Sequence, residues 1–464
     1  MVFSSIEFIL VFLPVFFITY YSVTDKLKNI ILLIGSLAFY IAGAVKYPLH
    51  ILVFILVIIS DYSTARLIEK AKRKKKFFLF FGILINLANL VFYKYFPFII
   101  TETEKIFSNI DFSIDIILPI GISFYTFQGI SYLADVYKGK IAAEKNFINF
   151  SVYIAMFEQL IAGPIVKYVD ISDKLKQRKI KSEDVCNGFG TFIFGLGLKV
   201  LIANPLGNLW TDIKTIGYES ISTPLAWMGI FAFSFQIYLD FFGYSVMAIG
   251  LGKMLGFKIP KNFDHPYLSK TMTEFWRRWH TTLGTWFREY VYIPLGGNRK
   301  GKCRTILNLL TVWLLTGIWH GAGYNFILWG LVTFLLIVSE KYLFGKAFHR
   351  YPIIGRLYMI VAIPVTWALF AVEDINQLCI FFSRLFPFIA ESPFSVFRYD
   401  YLKYLEMYYP FLIAGLVFST KLPYNILKRI KNKVIISIIL CVIFAGSIYC
   451  IYKGYNDPFL YFRF

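Results

Sequence analysis

Apolar residues run through this chain in blocks of about twenty, the length a helix needs to cross a bilayer, and short polar or basic loops separate them. The blocks fall at 6–23, 28–45, 48–66, 77–98, 114–135, 185–206, 223–246, 303–319, 321–342, 353–372, 408–421 and 433–453. They predict an all-α polytopic membrane protein, a bundle of about 11–12 transmembrane helices. No long polar linker interrupts them, so residues 1–464 are expected to form a single integral-membrane domain.

Three segments depart from this rhythm. Residues 147–165, FINFSVYIAMFEQLIAGPI, are apolar but have basic flanks on both sides, and they contain Glu158 and the helix breaker Gly163-Pro164. Charge and irregular backbone at membrane depth must be enclosed by protein or face water, so a re-entrant or tilted segment is expected here. Residues 253–302 are basic, aromatic and too polar for one span. Within them, 272–290 suits one amphipathic helix, with Phe275, Trp279, Leu283, Trp286 and Tyr290 on an apolar stripe that Trp276, His280 and Phe287 extend. Glu274, Arg277, Arg278, Arg288 and Glu289 lie largely opposite. Such a helix can anchor at a membrane interface, but an anchor needs no histidine on its apolar side. Residues 303–342 are too long for one span, and the break is expected at His320-Gly321-Ala322-Gly323.

Composition sharpens this picture. The chain is 58% hydrophobic and 16% charged, against about 25% charged in soluble domains. The formal net charge of +20 sits mostly in short loops, where it sets topology and meets anionic lipid or an anionic cofactor; nucleic acid is not an expected partner. The run KAKRKKK, Lys70 to Lys76, marks the cytoplasmic side, which puts the N-terminus and the acidic loop TETEKIFSNIDFSID outside. The first 23 residues lack a basic start and an A-x-A cleavage site, and read as a retained span. Five isolated cysteines, with no CxxC spacing, indicate neither a zinc site nor a disulfide framework, and no metal is expected.

Of five histidines, His50 and His349 read as interfacial or surface residues and His265 as a turn residue. His320 beside the helix break and His280 on an apolar face are the catalytic candidates. A partly buried imidazole stays neutral near pH 7, which suits deprotonation of a hydroxyl that attacks a thioester. The sequence has no G-x-S-x-G elbow and no H-E-x-x-H, so serine hydrolase and zinc peptidase chemistry lack support. GGNRKGKC, Gly296 to Cys303, nearly matches a phosphate loop, but cysteine replaces the final hydroxyl residue; it can still cradle the phosphates of coenzyme A. Arg277, Arg278, Arg299 and Lys300, with Trp276 and Trp279 beside them, are the candidate donor-binding residues. Asp240, Gln236 and Asn325 could hydrogen-bond within the cavity.

The run FQIYLDFFGYSVMAIGLGKMLGFKIPKNFDHPYLSKTMTEFWRRWHTTLGTWFREYVYIPLGGNRKG, followed by TGIWHGAGYNFILWG, resembles the membrane-bound O-acyltransferase (MBOAT) family, and within it the branch of alginate O-acetyltransferase membrane subunits. MVFSSIEFILVFLPV, LPIGISFYTFQGISYLADVYKGKI, EQLIAGPIVKY and the closing DPFLYFRF carry the same likeness. The resemblance implies a tunnel histidine at His320 and a second family histidine at His280. It implies an acetyl group taken from cytoplasmic acetyl-CoA, bound as a substrate with no permanent cofactor. It further implies a protein of the cytoplasmic (inner) membrane, with a periplasmic or extracellular acetyltransferase partner that places the group on a cell-surface polysaccharide. The alternatives are D-alanyl transfer to teichoic acid from a carrier-protein thioester, or a non-catalytic transporter or scaffold. Val246, Glu158 and the segment LFAVEDINQL depart from the branch's pattern, at positions that bear on acceptor and partner contacts.

Overall fold

The computed structural model describes residues 2–107, 116–161, 163–388, 396–455 and 460. Residues 108–115 of the acidic loop, the first two positions of the 114–135 span, most of DPFLYFRF and the side chain of His349 lie outside the described residues.

All regular structure among the described residues is helical. Helices satisfy their own backbone hydrogen bonds, which lipid cannot do for them. Seven are long and apolar enough to cross a membrane: Pro48–Lys70, Lys75–Lys94, Ser182–Ile216, Thr223–Met254, Tyr324–Phe348, Pro352–Ala371 and Lys433–Tyr452. Asp400–Phe418 and Leu422–Arg429, bent by 74° at their junction, make an eighth if they count as one span. Of the other expected spans, 114–135 is helical only from Ile122 among its described residues. Glu7–Ser22 and Lys28–Ala44 are shorter, and Gly301–His320 carries polar positions at Asn308, Thr311 and Thr316. The chain is therefore a multi-pass membrane protein. The basic run Lys70–Lys76 occupies the tight turn between the first two of the seven helices.

The chain divides into two compact units, Met1–Phe192 with Met247–Pro260, and Ile193–Val246 with Lys261–Phe464. In the first unit, Ile122–Tyr137 packs against Pro48–Lys70 and Lys75–Lys94 and is buried from Phe124 to Val136, the polar Thr126, Gln128, Ser131 and Asp135 included. Asn86 donates to Asp61 at 2.6 Å where these helices meet. Residues 147–165 do not cross as one helix. They form Phe147–Ala155 and Phe157–Leu160, of 9 and 4 residues, with a break at Met156. Glu158 is fully buried in protein.

In the second unit, small residues let helices approach closely. A Cβ on Gly243 would lie 2.7 Å from the Gly195 carbonyl oxygen, and in the first unit one on Gly250 would lie 2.6 Å from that of Gly188. Each pair is spaced seven residues from the other, two helical turns along Thr223–Met254, the arrangement by which membrane helices gain packing contact.

Candidate active site

The histidine-bearing segment 257–297 holds none of the seven long helices. The single helix expected over 272–290 is broken in two, Met272–Arg278 and Thr281–Phe287, and the break is at His280 itself. Thr271 caps the first helix by accepting from the Glu274 N–H at 3.0 Å. Trp279 then turns extended, and His280 adopts a left-handed backbone with φ 44°. His280 and His265 are the only non-glycine residues with positive φ among those described. A bulky residue held there costs free energy and is retained where neighbours over-determine the geometry. Two backbone bonds supply the clamp: the Asp264 N–H donates to the Arg278 carbonyl at 3.0 Å, and the Thr281 N–H to the Asn262 carbonyl at 2.9 Å. His265 precedes the turn Pro266–Leu268, and its left-handed backbone fits the role of a turn residue.

The His280 ring is 2% exposed. Its Nδ1 lies 3.0 Å from Asn262 Oδ1, which also accepts from the Thr282 hydroxyl at 2.9 Å. Asn262 Nδ2 donates to Ser245 Oγ at 3.3 Å. The Thr282 N–H, which can only donate, also reaches Asn262 Oδ1 at 3.4 Å; with that oxygen as the acceptor, Nδ1 carries the proton and Nε2 keeps its lone pair. Burial pushes the imidazole well below its ordinary value, and the ring is neutral at physiological pH. The edge of Phe241, at 4.7 Å between centroids, packs against it.

His320 ends the helix Gly301–His320, and Tyr324–Ser339 begins after Gly321-Ala322-Gly323, at the expected break. The two helices pack as a tight hairpin: a Cβ on Gly317 would lie 2.4 Å from the Phe326 carbonyl oxygen, and one on Gly330 2.6 Å from that of Trp313. His320 is 7% exposed, and its ring packs against Trp319, Trp329 and Phe370 at 4.9, 5.1 and 5.2 Å. The Trp319 ring also reaches His280, at 6.2 Å.

Both histidines line one cavity of about 180 Å³. Its walls are Trp276, Trp279, Leu283, Phe287, Tyr292, Leu309, Val312, Trp313 and Thr316, with Arg288 also on the lining. The volume accommodates the reactive end of a small thioester and a few waters, but not a whole ligand of 300–1,000 Å³. The Trp276 indole N–H is buried with no hydrogen-bond partner among the described residues, the kind of donor a bound carbonyl would satisfy.

A profile of the MBOAT, membrane-bound O-acyltransferase family matches residues 142–372, which include both histidines. Over 398 residues the chain is 37% identical to the probable alginate O-acetylase AlgI of Pseudomonas aeruginosa, covering 84% of this chain and 75% of that protein. The chain belongs to the membrane-bound O-acyltransferase family. It is an acyltransferase. A peptidoglycan O-acetyltransferase of Helicobacter pylori is 35% identical over 415 residues, covering 81% of this chain and 78% of the relative. A teichoic acid D-alanyltransferase of Bacillus subtilis is 27% identical over 262 residues, covering 53% and 65%.

For this acyltransferase, the other sequence candidates divide. Trp276 and Trp279 line the histidine cavity. Arg277, the next residue, lines a second cavity. Arg278 forms a 2.6 Å ion pair with Glu274, and Arg299 and Lys300 are exposed and line neither cavity. Asp240, Gln236 and Asn325 do not line the histidine cavity. Asp240 pairs with Lys199 at 2.6 Å, Gln236 packs against Gly207, and the Asn325 amide donates to the Phe370 carbonyl at 3.2 Å. Asn262 and Arg288 had no signal as site residues: Asn262 meets His280 only through the fold, and Arg288 read as part of a polar face.

Proposed function

We propose that this chain is an O-acetyltransferase of the cytoplasmic (inner) membrane. It takes an acetyl group from cytoplasmic acetyl-CoA and passes it outward for O-acetylation of an exported polysaccharide, with an extracytoplasmic partner protein. The observation that supports this reading is the single aromatic cavity holding His320 and a neutral His280. The names of relatives above 30% identity, among them a probable alginate O-acetylase and a peptidoglycan O-acetyltransferase, support acetyl as the group and polysaccharide as the acceptor class. The D-alanyltransferase relative matches less of this chain at lower identity, so we keep D-alanyl transfer from a carrier-protein thioester as the second reading.

In this reading His320 takes the proton from an acceptor hydroxyl as its oxygen attacks the thioester carbonyl. A C–O bond forms, the C–S bond breaks, and the proton returns to the leaving thiolate. If His320 itself carries the acyl group, a C–N bond forms as the C–S bond breaks, and the acceptor oxygen then forms the C–O bond as the C–N bond breaks. His280 holds the thioester or assists the proton through Nε2, while Asn262 fixes its tautomer. Aromatic walls that leave room for few waters strengthen each electrostatic contact and limit competing hydrolysis.

The test uses purified protein in nanodiscs with acetyl-CoA labelled on the acetyl group. Label should reach a partner-protein serine or a polysaccharide with wild type, and fall by at least a hundredfold with His320→Ala at matched folded yield. Full transfer by the variant would return His320 to a packing role.

A further inference from the structure

A third cavity, of about 360 Å³, lies in the first unit and shares no lining residue with the other two. The stretches 25–29, 146–149 and 175–178 enclose it. Four cations line it, Lys26, Lys28, Lys176 and Arg178, against one carboxylate, Asp25. Asp25 is largely exposed and pairs with Lys28 at 2.8 Å, so it offsets one of the four charges. The helix Lys28–Ala44 starts in the same wall with no side-chain cap, which adds the positive end of its dipole.

The wall is a fixed frame. Arg178 is only 7% exposed. Its guanidinium donates to the Tyr20 hydroxyl at 2.8 and 3.0 Å, to Asn29 Oδ1 at 2.6 Å, and to the Leu255 and Lys174 carbonyls at 3.1 and 3.3 Å. Its face lies 4.6 Å from the centre of the Phe257 ring. Asn29 donates in turn to Asn149 Oδ1 and to the Leu175 carbonyl, both at 2.7 Å. All three stretches are thereby joined. Every one of these acceptors of Arg178 is neutral. The buried Glu158 feels the guanidinium's charge, but its carboxylate bonds to none of those N–H groups and does not line the cavity. A buried charge is ordinarily paired, and here the open side of the guanidinium is a cavity that carries three more cations. An anion there would supply the missing partner, and lysine and arginine together match phosphate oxygens.

The cavity's side of the membrane follows from one contact. The Ala143 N–H donates to the Glu69 carboxylate at 3.0 Å, which ties the 146–149 wall to the end of Pro48–Lys70, beside the basic run Lys70–Lys76. The positive-inside rule marks that side as cytoplasmic, where lipid headgroups and soluble metabolites both present phosphate. We propose that the cavity of Lys26, Lys28, Lys176 and Arg178 binds a phosphate group, carried either by the headgroup of an anionic phospholipid or by a small soluble phosphate. This site stands apart from the acyl-transfer reading above, and its test needs no turnover.

Two binding measurements on the full chain separate the sources. Calorimetric titration with pyrophosphate, in nanodiscs of neutral phosphatidylcholine, reads the soluble one. Native mass spectrometry in detergent, with phosphatidylglycerol against phosphatidylcholine, reads the lipid one. Wild type should bind saturably in at least one arm. Lys26→Gln with Lys176→Gln, both at exposed positions that tolerate the change, should weaken that binding about tenfold. Lys72→Gln with Lys74→Gln removes the same charge from the same side but outside the cavity, and should leave binding within about twofold of wild type. Binding of phosphatidylglycerol without pyrophosphate would assign the site to a lipid headgroup, and the reverse to a soluble phosphate. No saturable binding in either arm, wild-type binding by the Lys26 and Lys176 variant, or equal weakening in both double variants would overturn the proposal.

Discussion

At the residue scale, His280 is the position where chemistry and strain coincide. Its left-handed backbone aims the ring into the cavity, and Asn262 orients it. Asn262→Ala should lower kcat about 10–100-fold with KM nearly unchanged, because an unanchored ring loses near-attack geometry rather than substrate contact. An equal change in KM alone would contradict that. Burial also links this residue to pH. Its folded value, about 3, lies below the unfolded value near 6.5, so the unfolded chain binds the proton first as pH falls. The neutral ring is cost-free above about pH 7, and stability is lost below pH 6.5 by up to about 1.4 kcal/mol per pH unit. His280→Gln should therefore flatten the fall in melting midpoint between pH 6.5 and 5; equal slopes in both proteins would refute the assignment. Both histidines were legible in the sequence, since an ionisable ring in an apolar context stands out. Asn262 was not, because it lies 18 residues from His280 and joins it only through loop geometry.

At the element scale, legibility followed the breakers. The turn after His320 was readable from Gly321 and Gly323; an irregular 147–165 was expected from Gly163-Pro164 and Glu158, but its helix breaks earlier, at Met156, which no glycine or proline marks. The break at His280 was hidden, since no glycine or proline marks residues 279–281 and the apolar period of 3.6 continues through them. The helical hairpin carries its own test. Gly317→Leu places side-chain atoms against the Phe326 carbonyl, at a Cβ distance of 2.4 Å, so the hairpin must open. The cost should be about 1–3 kcal/mol, read as a lower melting midpoint. Transfer activity should fall with it, because His320 sits one turn beyond. Leu315→Ala, at a position 41% exposed, should leave the midpoint close to wild type. Wild-type midpoint and activity in Gly317→Leu would mean the close approach is not required.

At the scale of the whole molecule, the polytopic all-α class was evident from apolar blocks alone, whereas the tie between distant parts of the second unit was not. Asp240 read as a cavity residue, yet it is 3% exposed beside Lys199, and it accepts the backbone N–H of Leu460 at 2.8 Å. Asn204 adds a bond from its amide to the Tyr455 carbonyl at 3.1 Å. One buried ion pair thus joins the π-helical turn Leu198–Ala203, the helix Thr223–Met254 and the end of the chain. Removing one partner strands a charge in a dry site, which costs about 3–5 kcal/mol, whereas replacing both with apolar side chains of similar volume is often neutral. Asp240→Ala should therefore accumulate poorly and release the chain end to proteolysis. Lys199→Met combined with Asp240→Leu should recover much of the folded yield while leaving Leu460 unanchored. If the double replacement is as unstable as the single one, the contribution of Asp240 lies in its bond to the Leu460 backbone rather than in neutralising Lys199.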